Sequence, residues 1–307
     1  MKRIIFILSV LPVLTTGIVK GGEYEPSDFF NTMQSGDKAA ILMVHFGTTH
    51  DDTRALTIEA LNNRVKQQFA DTEIREAYTS RIIIKRLGER GIVKPNPVGA
   101  LKMLYAEGFT HILIQPSTVI DGVEMEAIRK DVEGLAFLFK DIRVGKSLLY
   151  APQDYKKLID ALTEKADKKT AYIAVGHGTY DVSTAQYAML DYMLKAKGHA
   201  NFFVGTIEGY PAMEDVMAQL KASGLKKVVL LPLMFVAGEH AKNDIAGDWK
   251  DEFEQAGYRT EVRMEGLGQN PKIQDVYIEH LRFAAMHREI GIINKKAIYE
   301  KTGEKMK

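Results

Sequence analysis

Two histidines and a glutamate in the second half of the chain have the types and spacing for metal or acid–base chemistry. His177 sits between two glycines in Ala171-Tyr-Ile-Ala-Val-Gly-His-Gly-Thr179, directly after a short apolar run. Glu208 lies in Thr206-Ile-Glu-Gly-Tyr210, and His240 in Val236-Ala-Gly-Glu-His-Ala-Lys-Asn-Asp244, each also just beyond an apolar run. A histidine so placed is a candidate metal ligand or general base, because its charge changes near neutral pH. Two neutral imidazoles and a carboxylate would make an open site for a divalent first-row metal, with coordination positions left for a substrate. Each residue also has a plainer role open to it. His177 could bond locally in its loop, and His240 could be a solvated residue or part of a helix start. Glu208 could cap the helix that follows it or pair with a base.

The elements around these residues give them a common position. The run at 172–175 has the length and β-branched character of a buried strand. Glycines end it and free the backbone, and Asp181-Val-Ser-Thr184 offers capping residues for a helix. In the first half, strands are expected at 39–45, 74–78, 111–115 and 142–149. They alternate with helices at 56–69, 81–90 and 98–107 and a charged helical region at 121–139. In the second half, strands at 172–175, 201–206, 227–231 and 259–264 alternate with helices at 185–196, 212–223 and 246–256, before a last helix at 272–287. This alternation indicates parallel βαβ units. Ligands of such sheets bind outside the carboxyl ends of the strands, where His177, Glu208 and His240 all fall.

The halves also correspond in sequence. Ala40-Ile-Leu-Met-Val-His-Phe-Gly-Thr48 lies over Ala171 to Thr179, with Phe46 opposite His177. Gln115-Pro116, with Gly122-Val-Glu124 beyond it, lies over Leu231-Pro232, with Gly238-Glu-His240 beyond it. The pattern is that of a duplicated α/β unit whose second copy keeps a histidine pair. Two lobes are expected, at 38–150 and 151–290, with a ligand cleft between them.

Composition narrows the chemistry. The 307 residues are 46% hydrophobic and 26% charged, ordinary for a globular protein. A net charge of +1, from 41 basic and 40 acidic residues, gives no reason to expect a nucleic-acid partner. Cysteine is absent, so thiolate ligands, catalytic thiols and disulfides are excluded, and a transition metal must use histidine or oxygen ligands. Met1-Lys2-Arg3 followed by a mostly apolar stretch to residue 19 resembles a secretory signal peptide. The stretch is short for a stable membrane span. Removal of 1–22 and a periplasmic product without a membrane span are therefore expected, and 291–307 reads as a charged tail.

Taken together, these motifs resemble the anaerobic cobalt chelatases, the sirohydrochlorin cobaltochelatases, over residues 38–271. The likeness is carried by Phe46-Gly-Thr-Thr49, Ala77-Tyr-Thr-Ser-Arg81, Val175-Gly-His-Gly-Thr179, Gly205-Thr-Ile-Glu-Gly-Tyr-Pro211 and the stretch from Pro232 to Asp244. It implies a class II chelatase fold related to ferrochelatase: α/β, in two similar lobes, each a parallel sheet flanked by helices. It also implies a metal site of His177 and His240 with Glu208 close by, all three serving catalysis. Co2+ would be the substrate metal, with Fe2+, Ni2+ and Zn2+ as alternatives; no organic cofactor is required, and haem is a further candidate ligand. Inserting a divalent metal displaces two pyrrole protons, so one imidazole or Glu208 would act as base. Sirohydrochlorin carries several carboxylates, for which Arg54, Arg81, Lys85, Thr79, Ser80 and Thr179 are candidate partners. Phe46, Tyr78, Tyr210 and Phe235 are candidates for packing on the macrocycle. All of these could equally be surface charges, caps or core. His45 and His50 lie near the expected cleft, while His111, His199, His280 and His287 read as structural or surface residues. The leader departs from the usual cytoplasmic members of the family. It opens a second reading, an exported uptake protein that binds haem or another tetrapyrrole, or removes iron from haem. A third is a metal-binding protein without turnover. A homo-oligomer is compatible with all of them.

Overall fold

The computed structural model describes residues 24–303, so the leader expected at 1–22 lies outside the described residues. A short strand, β1 (Tyr24–Pro26), precedes the first sheet. That sheet is built from β2 (Ala39–His45), β3 (Glu73–Tyr78), β4 (His111–Pro116) and β5 (Asp141–Val144), all parallel, in the order β3-β2-β4-β5. Its connections hold α1 (Asp51–Arg54), a π-helical turn Ala55–Glu59, α2 (Ala60–Gln68), α3 (Arg81–Gly88), α4 (Pro97–Ala106) and α5 (Val123–Glu133). An addition to the expected elements, α6 (Pro152–Thr163), leads into the second lobe. There β6 (Thr170–Gly178), α7 (Ala185–Ala196), β7 (Phe202–Glu208), α8 (Met213–Ser223), β8 (Lys227–Pro232), α9 (Lys250–Gln255) and β9 (Arg259–Val262) follow in turn. The second sheet is also all parallel, in the order β7-β6-β8-β9.

The two sheets therefore share one topology. Their register agrees too: Val44 pairs with Pro116 and Val175 with Pro232, the residues that the sequence correspondence sets opposite one another.

Alternation along the central strands sorts the core into three parts. Ala40, Leu42 and Val44 face an outer cluster of the first lobe, and Ala171, Ile173 and Val175 face an outer cluster of the second. The intervening residues, Ile41 and Met43, Tyr172 and Ala174, share one inner cluster that runs through both lobes. The last core helix, α10 (Pro271–Met286), crosses back to pack on α6 and β4, adding Ile273, Val276, Tyr277 and Leu281 to that cluster. The Tyr277 hydroxyl lies 3.1 Å from the carbonyl oxygens of both Ser117 and Thr118.

Some boundaries differ from expectation for identifiable reasons. The strand expected at 142–149 ends at Val144, because Gly145 is seated against Gln115, whose Oε1 would be 2.1 Å from an added Cβ. Leu148 and Leu149 then donate to the carbonyls of Thr118 and Val119 in a loop and bury their side chains in the inner cluster. Beyond α10, β10 (His287–Glu289) pairs antiparallel with β1. The expected tail is helical as α11 (Gly291–Thr302), which has no buried residue. Among the described residues, no helix is long and apolar enough to cross a membrane.

Candidate metal centre

His177 lies within β6, which runs three residues further than the apolar signal suggests. Alternation puts its ring on the outer face of the second sheet, in line with Ala171, Ile173 and Val175. Its flanking glycines each have a steric reason. An added Cβ at Gly176 would stand 2.3 Å from the Tyr187 ring, and one at Gly178 would stand 1.7 Å from the Glu208 carbonyl oxygen. Gly178 also has φ of +83°, which disfavours a side chain. The His177 Nδ1 is 3.2 Å from the Gly178 carbonyl oxygen. A carbonyl only accepts, so Nδ1 carries the proton and Nε2 keeps its lone pair. The local bond envisaged for this residue thus coexists with a free ligand atom.

His240 opens a helical segment whose first part, Ala241–Trp249, is wound as a π-helix, a form common at functional sites. Ala241, Ile245 and Trp249 anchor the segment in the outer cluster beside Ile173 and Val175. Gly205 on β7 admits the indole: an added Cβ would lie 2.4 Å from Trp249. The His240 Nδ1 is 2.8 Å from the Asp244 carboxylate, which again leaves Nε2 free. The two imidazole rings meet edge to face, with centroids 4.6 Å apart at an interplanar angle of 90°. His177 is half-buried, whereas the His240 side chain is 51% exposed, so the pair is open on one side.

Glu208 ends β7 in register with Gly178, which by alternation puts it on the face away from the His177 ring. Among the described residues its carboxylate has no hydrogen-bond or ion-pair partner. It does not cap α8, where Asp215 accepts from the Ala212 N–H at 2.9 Å. Among the described residues, no three His, Asp or Glu side chains converge as a group able to hold a metal.

The first lobe approaches the pair through the loop after β2. Lys242 Nζ lies 3.2 Å from His50 Nδ1, and His50 Nε2 is 3.4 Å from Glu239. Phe46, on the same loop, is 45% exposed, and Tyr210 is 53% exposed. The hydroxyl of Thr79 is buried without a partner among the described residues. Ser80 caps α3 by accepting from the Ile83 N–H, and Arg81, the first residue of that helix, is exposed and has no ion-pair partner among the described residues. Thr179 accepts from the Asp181 N–H. Lys85 is exposed, whereas Arg54 is committed to Asp51 and Glu59. Tyr78 and Phe235 are core, not macrocycle contacts.

His45 is also core. One residue before Phe46, it falls on the inner face, stacked on Phe235, with Nδ1 2.8 Å from Ser117 Oγ and Nε2 3.0 Å from Asn62 Oδ1. Burial lowers its pKa to about 4, against the opposing pull of Glu76. His111 and His280 are buried, and His287 stacks on Phe283. Asp244 is the residue that motif reading passed over, although its spacing of four from His240 puts both on one helix face.

Residues 39–286 match the family described as Cobalt chelatase (CbiK), a span that includes both histidines and Glu208. The chain is 36% identical over 255 residues to the sirohydrochlorin cobaltochelatase of Salmonella typhimurium, covering 80% of this chain and 96% of that one. It is 28% identical over 259 residues to the sirohydrochlorin cobaltochelatase CbiKC of Nitratidesulfovibrio vulgaris, covering 80% and 90%. Among solved structures, SirB from Bacillus subtilis with Fe3+ superposes with a TM-score of 0.61 at 14% identity, over 81% of this chain and 96% of that one. The expected chelatase-type α/β fold is thereby borne out.

Proposed function

We propose, for a chain that belongs to the cobalt chelatase (CbiK) family, that it inserts Co2+ into sirohydrochlorin at the His177–His240 pair. The observation that carries this assignment is the pair itself: two imidazoles in contact, each with Nδ1 occupied and Nε2 free, on one side of the second sheet. Two such nitrogens suit Co2+ and leave its remaining positions to water and then to the ring nitrogens. Fe2+ is a second substrate metal on the same donors, since imidazole serves both.

The macrocycle lies across the opening, with Phe46 and Tyr210 offering exposed rings to its faces. Thr79, Ser80, Arg81 and Thr179 supply donors to its carboxylates. As metal–nitrogen bonds form, the two pyrrole N–H protons leave, so one Co2+ enters for two protons released. Glu208, on the face away from the His177 ring and with no carboxylate partner among the described residues, accepts one of these protons through solvent and does not join the metal's ligands. The leader at 1–22 supports a periplasmic location, which cell fractionation with an antibody to the mature chain would test.

The deciding experiment is anaerobic metallation of sirohydrochlorin by Co2+, followed in the visible spectrum. His177→Ala and His240→Ala are each expected to fall to the protein-free rate, and Glu208→Gln to slow turnover about 100-fold. Full activity in either histidine variant would remove the pair from the mechanism. If the wild type gave no acceleration but bound haem stoichiometrically, the uptake reading would replace this one.

A further inference from the structure

The two imidazoles are oriented by unlike partners. His177 Nδ1 faces a neutral backbone carbonyl, whereas His240 Nδ1 faces the carboxylate of Asp244. We infer that Asp244 is a positioning residue that makes His240 the principal Co2+-capturing ligand of the pair. This rests on His240 being a ligand, as proposed above.

Three features support the assignment. A carboxylate on Nδ1 fixes the ring's rotation and tautomer and strengthens Nε2 as a donor to a cation. Orientation matters more for His240 than for His177: the His177 ring rises from a buried strand clamped at both flanking glycines, but the His240 side chain is half exposed at the start of a helix. Among the described residues no other polar side chain holds its ring, because Glu239 and Lys242, its charged neighbours, are directed to His50. The segment that carries both residues is itself pinned at its far end by Trp249 in the outer cluster. Asp244 therefore works from a rigid base, and among the described residues its carboxylate pairs with His240 alone.

The order of events follows from this asymmetry. Co2+ from solvent binds first at the exposed, carboxylate-backed His240, and the half-buried His177 joins it. Asp244 does not touch the metal or the tetrapyrrole; it acts through His240.

The test uses the mature protein and Co2+ chloride without tetrapyrrole, read by the d–d absorption of bound cobalt. Asp244→Ala is expected to weaken Co2+ binding about 10- to 100-fold and to raise the KM for Co2+ by a similar factor. The KM for sirohydrochlorin should stay within two-fold. Asp244→Asn, which retains an acceptor for Nδ1–H, should recover part of the loss. Trp249 is the single tryptophan, so unchanged emission in Asp244→Ala would show the segment intact. His240→Ala separates the two levels of inference. If it leaves Co2+ affinity unchanged, His240 is not a ligand and the underlying assignment fails. If it weakens binding while Asp244→Ala stays within two-fold of wild type, only the positioning role is overturned. Shifted Trp249 emission together with equal loss in Asp244→Ala and Asp244→Asn would also overturn it, in favour of a structural role.

Discussion

His45 is held neutral by its surroundings, with its pKa lowered to about 4 by burial from an unfolded value near 6.5. Between these values the unfolded chain binds a proton that the folded chain refuses. This contribution to stability is therefore fully present above pH 6.5 and is lost as pH falls toward 4. Acidification from pH 7 to 4.5 should cost about 2–3 kcal/mol through this residue alone. Urea titrations at the two pH values would show it as extra acid sensitivity of the wild type over His45→Gln, and equal losses would exclude it. Gly178 is constrained in both torsion and space. Gly178→Ala should destabilise the protein by about 3 kcal/mol, measurable as a lowered denaturation midpoint. A single position of strand parity separates His45, packed in the inner core, from Phe46 and its counterpart His177 on the outer side.

At the scale of elements, the segment from His240 to Trp249 joins the site to the core. One end carries the exposed imidazole, and the other inserts an indole against Gly205. Gly205→Ala would place a methyl group 2.4 Å from that indole, with an overpacking cost of about 1–3 kcal/mol. The expected signature is a shift in Trp249 emission together with weaker Co2+ binding. Unchanged emission and unchanged binding would show that the segment tolerates the displacement. Sequence periodicity placed this helix at 246–256, five residues late, because the π-helical start does not follow a 3.6-residue period. The same mismatch hid Asp244, whose link to His240 depends on the helix being formed already at His240.

For the whole molecule, the two lobes share one inner core, and α10 ties the end of the chain to the first sheet. A single cooperative unfolding transition is therefore expected in calorimetry, with calorimetric and van't Hoff enthalpies agreeing; two resolved transitions would show lobes that melt separately. Tyr277→Phe, which removes a hydroxyl shared by two carbonyl oxygens of the first lobe, should cost about 1 kcal/mol without splitting that transition.

What the sequence determined by itself is local in kind. Apolar runs, glycine stops and the correspondence of the halves define the parallel strands, the repeated unit and the strand ends beyond or at which His177, Glu208 and His240 lie. The first two depend only on near neighbours along the chain, and the third on comparing two such local patterns. Tertiary structure decided which histidines became core, since His45 and His177 both lie near strand ends and differ only in the face they present. It decided that Glu208 lies in register with Gly178 and not beside His177, because register is set by pairing between strands. It also decided that Tyr78, Phe235 and Arg54 are spent on packing and ion pairs, and that α10 binds the lobes into one core. Those outcomes arise from contacts between residues far apart in the chain, where neither spacing nor composition carries the information.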